Sequence, residues 1–137
     1  MAAETAARRR RPTRRSAALA LVALALCATS ADAAAPRRFV GQVTDALRNP
    51  THKLAASEAT GRAVADLVFT DAQEARTKVR TCMKRRDLAR ARRTCFTLTT
   101  GPAGVATVTP LRFPPGRYVV RWSVGGEVVA RWRFTVV

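Results

Sequence analysis

Residues 116–137 read GRYVVRWSVGGEVVARWRFTVV, two alternating apolar/polar segments on either side of Gly125-Gly126. Side chains on a strand point to opposite faces with a period of two. Tyr118, Val120, Trp122 and Val124 therefore share one face, with Arg121 and Ser123 on the other. In the second segment Val128, Ala130, Trp132, Phe134 and Val136 oppose Arg131, Arg133 and Thr135. A two-residue Gly125-Gly126 turn would set Val124 against Glu127 and Trp122 against Val129, and would swing Arg131 and Arg133 toward the core. A one-residue slip of this kind moves every side chain to the wrong face. The alternation thus predicts an odd loop, Gly125-Gly126-Glu127, or an equivalent bulge. Val124 then faces Val128, Trp122 faces Ala130 and Val120 faces Trp132, the small Ala130 leaving room for the indole.

Upstream, short apolar segments recur with turn residues between them, the pattern of a sandwich or barrel. Strands are predicted over residues 63–69, 75–84, 94–100, 104–109, 117–124 and 128–137. Gly101-Pro102 and Pro114-Pro115-Gly116 mark breaks between them. Between residues 34 and 61 the texture is irregular. Phe39, Val40 and Val43 predict one short edge strand, Asn49-Pro50-Thr51 a turn, and residues 54–60 (LAASEAT) a short helix closed by Gly61. The basic run 83–93 has the propensity for a helix, but Leu88 is its one large aliphatic, so such a helix has no face to bury.

Residues 1–33 read as an export signal. Arg8–Arg11, Arg14 and Arg15 form a positive stretch, and residues 17–28 are apolar. That run is shorter than the roughly 20 residues needed to span a bilayer, which argues against a retained anchor. Ala31-Asp32-Ala33 fits a small-residue cleavage site, placing cleavage after Ala33. Thr13-Arg14-Arg15 permits a twin-arginine route, and the bulky Leu26 before Cys27 argues against a lipoprotein. Removing this segment leaves 19 basic and 7 acidic residues, a net charge of +12 over 104 residues. A chain of that length makes one domain: residues 34–61 an edge strand and irregular linker, residues 62–137 the sandwich.

Cys82 and Cys95 then remain, and an even pair in a small exported domain favours a disulfide. Cys82 shares its parity with Lys78, Arg80 and Lys84, and Cys95 with Thr97, so both thiols leave the polar face of neighbouring strands. A staple closing a loop of about 14 residues stabilises by about 3 kcal/mol in the chain-entropy account.

The residues 114–137, with a Pro-Gly turn before Tyr118-x-Val120-x-Trp122 and a closing Phe134-x-Val136, resemble the last strand pair of bacterial immunoglobulin-like or fibronectin-III-like modules. The resemblance covers about 75 residues and implies an all-β, antiparallel immunoglobulin-like sandwich; it implies no activity, because that fold hosts many. It departs from true immunoglobulin domains in two ways. The cysteines lie on consecutive strands instead of bridging two sheets, and both tryptophans lie in the last hairpin. Periplasmic copper carriers end in a similar hairpin, but their sites use histidines and the mature chain has His52 alone.

The available chemistry is sparse. His52, Met83, two cysteines and seven scattered acids offer no ligand cluster for a metal, and no cofactor is implied. His52 could act as a base with Asp45, Asp66 or Asp71 as its orienter, the basis of an alternative reading as a small enzyme or ligand carrier. Charge is the stronger signal. Arg76, Lys78, Arg80, Lys84, Arg85, Arg86, Arg90, Arg92 and Arg93 lie within eighteen residues that hold a single acid, Asp87. They suggest docking to an anionic cell-envelope polymer or an acidic exported protein. With no aromatic among residues 83–93, sequence-specific nucleic-acid reading is not expected. Arginine makes up 22 of the 25 basic residues and is abundant inside the export signal too, so compositional bias accounts for part of the charge.

Overall fold

A computed structural model describes residues 37–137. The predicted signal peptide, its cleavage point after Ala33 and Cys27 lie outside the described residues. The chain from Phe39 onward is all-β: β1 (Phe39–Thr44), β2 (Lys53–Leu54), β3 (Ala63–Asp71), β4 (Lys78–Arg85), β5 (Arg93–Thr99), β6 (Val105–Phe113), β7 (Gly116–Val124) and β8 (Glu127–Val136). No helix of the described residues is long and apolar enough to cross a membrane. The strands form two sheets, β1-β3-β6 and β2-β8-β7-β4-β5. That is an immunoglobulin-like layout, in which the first, second and fifth long strands form one sheet and the remaining long strands form the other, with the short β2 added at its edge. One pair departs from the antiparallel expectation: β2 runs parallel to β8, with Lys53 against Thr135 and Leu54 against Val136.

The core follows from alternation. In β3, Ala63, Ala65, Leu67, Phe69 and Asp71 are buried at every second position. Trp122, Phe69, Phe113, Leu67, Val43, Val79 and Val120 are fully enclosed between the sheets. Phe113 meets Tyr118 and Phe134 edge-on at 5.2 and 5.1 Å, while those two rings stack at 5.1 Å. The Tyr118 hydroxyl donates to the Pro114 carbonyl at 2.6 Å, the corner that ties the start of this strand to the preceding loop in immunoglobulin-like sandwiches. Burial raises the pKa of that phenol.

The hairpin pairing is met by a turn and a bulge together. Gly125 and Gly126, at φ +60° and +85°, form the two-residue turn, so Val124 does face Glu127 and Ser123 faces Val128. The register then shifts between Trp122 and Ser123, so that Trp122 faces Ala130 and Val120 faces Trp132. Val129 is the additional residue. The expected Val124–Val128 pair is therefore absent and Val128 is half exposed. Two positive-φ glycines favour the turn whose twist matches the strands, and the bulge restores the apolar parity that this turn alone would invert.

Three other expectations are corrected. Residues 54–60 are not helical: Leu54 belongs to β2, its carbonyl accepts from Val137 N, and Ala56 N donates to the Val137 carbonyl. Pairing to β8 outweighs the helix propensity of LAASEAT. β4 begins at Lys78 instead of 75, because the Asp71 side chain accepts from Gln73 N and the Thr77 hydroxyl and folds residues 72–77 into a turn. β6 continues past Pro110 to Phe113. It pairs on one side with β3 alone, and an edge strand tolerates a residue without an N–H.

Candidate anion-binding face

Strands β5, β4, β7 and β8 lie side by side, and their outward positions fall into cross-strand rows. One row runs Thr97, Arg80, Ser123, Val128; the next Cys95, Cys82, Arg121, Arg131; the next Arg93, Lys84, Val119, Arg133. Lys78 lies opposite Thr99 at one end, and Arg117 opposite Thr135 at the other. Eight cations thus alternate outward from four strands. No Asp or Glu occupies an outward position of these rows. Two like-charged pairs, Arg121 with Arg131 and Lys84 with Arg93, stand directly opposite each other, an arrangement that opposes pairing. Among the described residues the ion pairs are Arg38–Asp71 and Arg85–Asp87, so no cation of this face has a carboxylate partner there.

Cys82 and Cys95 are directly opposed and joined by a disulfide, with Cα atoms 4.1 Å apart. The bond links neighbouring strands within one sheet on its outward side, both residues being partly buried. It sits in the middle of the basic rows and holds β5, the sheet's edge, against β4.

The nine basic residues of the 76–93 stretch do not all converge. Lys78, Arg80, Lys84 and Arg93 belong to the face. Arg85 points the other way: its guanidinium is ion-paired with Asp87 at 2.8 Å and lies 6.0 Å over the Tyr118 ring. That guanidinium holds the Asp87 carboxyl down to about 2. Arg86, Arg90 and Arg92 are in the β4–β5 connection, whereas Arg76 precedes β4 at its far end, about 25 Å away at the rise of a strand. Arg117, Arg121, Arg131 and Arg133 join the face from β7 and β8 instead. Their alternation was visible in the sequence; what joined them to the earlier cluster was the pairing of β4 with β7, which brings Cys82 against Arg121.

His52 is engaged elsewhere. Its ring stacks on Trp132 at 4.0 Å with planes 4° apart. Its Nδ1 lies 2.7 Å from the Arg133 carbonyl, which can only accept, so this nitrogen carries the proton. Trp132 Nε1 donates to the Thr51 carbonyl at 2.8 Å. These contacts fasten β2 to β8. Asp45 turns its carboxylate to Leu47 N and Asn49 N, Asp66 accepts from Thr109, and Asp71 is committed to Arg38 and Thr77; none orients His52. Among the described residues no group of three or more His, Cys, Asp or Glu could hold a metal ion.

No protein-family model and no curated protein matches the chain. Among solved structures it is similar to an immunoglobulin-like protein from Pseudomonas aeruginosa, at 15% identity and a TM-score of 0.41, over 72% of this chain and 91% of that one. It is also similar to an alkylpurine DNA glycosylase from Pseudomonas fluorescens bound to DNA containing an abasic site analog, at 14% identity and a TM-score of 0.41. A β-glucosidase from Listeria innocua in complex with isofagomine matches at 11% identity and a TM-score of 0.38. The alignments cover 72% of this chain in both cases, but 30% of the glycosylase and 16% of the glucosidase.

Proposed function

We propose that the chain is an exported, non-enzymatic binding module whose outward β5-β4-β7-β8 face docks onto an anionic polymer of the cell envelope. The observation that carries this reading is the pair of directly opposed like charges, Arg121/Arg131 and Lys84/Arg93, on a face without an acid. Such contacts cost stability in the free protein, and a polyanion laid across the rows relieves the repulsion while releasing its own counterions. The apolar run ahead of Ala31-Asp32-Ala33 and the disulfide support export to an oxidising compartment. Cleavage after Ala33 leaves one immunoglobulin-like domain.

Affinity for an anionic wall polymer, followed from 0.05 to 0.5 M salt, is expected to fall by about three orders of magnitude if four cations engage it. Affinity that stays level across that range overturns electrostatic docking. Selective capture of an acidic exported protein, with no retention of polymer, moves the partner to the other anionic class.

A further inference from the structure

On the outward face, a cavity of about 190 Å³ lies among Lys84, Arg93, Val119, Arg121, Ser123 and Val128. Its cations come from three strands: Arg93 from β5, Lys84 from β4 and Arg121 from β7. The Nε of Arg121 is buried, and among the described residues it has no hydrogen-bond partner. A buried N–H without an acceptor is costly, and the same Arg121 lines the cavity.

The resting place of such an acceptor has a definite chemistry. A planar carboxylate is satisfied by one guanidinium through two parallel hydrogen bonds, and it presents its oxygens in a single plane. Here the donors arrive from three strands, and the Ser123 hydroxyl adds a fourth from a neighbouring row. Donors lining one cavity from three strands suit an oxyanion whose oxygens diverge tetrahedrally better than a planar group. Val119, 9% exposed between Lys84 and Arg133 in its row, and the exposed Val128 supply apolar wall for the carbons that flank such a group.

Resting on the docking reading above, we propose that the cavity at Arg121 is a subsite for the phosphodiester group of a phosphate-linked polyol polymer, and that it makes the face prefer phosphodiester chains over uronate chains. The remaining cations, Lys78, Arg80, Arg117, Arg131 and Arg133, hold either polymer by charge alone.

The test titrates the oxidised protein with an oligo(glycerol phosphate) and an oligogalacturonate of equal charge number, at one fixed low salt concentration. The expected result is about ten-fold tighter binding of the phosphodiester. Arg121→Gln brings the two within about two-fold of each other and weakens uronate binding less than three-fold. Arg121→Lys keeps the charge but lacks the Nε, and it loses the preference as well, so the result does not depend on Arg121→Gln folding. Equal wild-type affinity for both oligomers, or a preference that survives both substitutions, overturns the subsite and leaves face docking standing. Binding to neither oligomer overturns both. A sulfated oligosaccharide that binds more tightly than the phosphodiester overturns the assignment to phosphate.

Discussion

Gly41 shows how one atom decides whether the two sheets can close. It lies in β1, and a Cβ there would fall inside the indole of Trp122, which reaches across from β7. Trp122 is the largest fully buried side chain, so it has no alternative place to go. Gly41→Ala is expected to cost roughly 3 kcal/mol as an overpacking substitution, lowering the melting temperature by about 15 °C; a thermal scan showing a shift under 2 °C would contradict the contact. Nothing local announces this requirement, because the partner lies 81 residues further along the chain. Asp71 carries the other residue-level effect. Hydrogen bonds from the Arg38 guanidinium first, then from the Thr77 hydroxyl, hold its carboxyl well below the usual carboxylate range. A folded-state value below the unfolded one, near 3.9, means the stabilisation is complete above about pH 4 and is lost as pH falls through the folded value. Denaturation measured between pH 6 and 2 is therefore expected to show stability declining below pH 4, with a shallower decline in Asp71→Asn. Identical acid limbs for the two proteins would remove Asp71 from the account.

At the scale of elements, the sequence made legible whatever depended on parity and left obscure whatever depended on a competing local geometry. The Trp122–Ala130 and Val120–Trp132 pairs followed from keeping Arg131 and Arg133 out of the core. The route did not, because Gly125-Gly126 satisfies its own turn preference while Val129 absorbs the mismatch one pair later. LAASEAT misled for a related reason: its helical propensity is real, but the parallel pairing of Leu54 to Val136 and the Val137 hydrogen bonds are non-local. The Cys82–Cys95 staple was legible because both cysteines shared the polar parity. Replacing both, Cys82→Ala with Cys95→Ala, is expected to lower stability by about 3 kcal/mol without opening the sandwich, since the bond spans no sheet-to-sheet gap. Chemical denaturation placing the double variant within 0.5 kcal/mol of the parent would show that the staple constrains nothing.

Across the molecule, charge is segregated. The outward positions of β1, β3 and β6 are mostly uncharged, among them Val40, Gln42, Val68, Thr70, Val105 and Thr107, with Asp66 and Arg112 as the exceptions, while the opposite sheet carries the basic rows. A linear reading placed the charge in residues 76–93. The folded arrangement discards Arg85 and separates Arg76 from Arg86, and it recruits Arg117, Arg121, Arg131 and Arg133, because a face is defined by strand neighbours instead of chain neighbours. Only the pairing of β4 with β7 makes the two basic segments one surface. The same two strands decide how the molecule answers to tension. A disulfide between cysteines 13 positions apart in one sheet removes the residues they enclose from the extensible length, about 40 Å of chain that a pulling force cannot draw out. For a module anchored to a polymer through that very sheet, the segment under the ligand would be the last to yield.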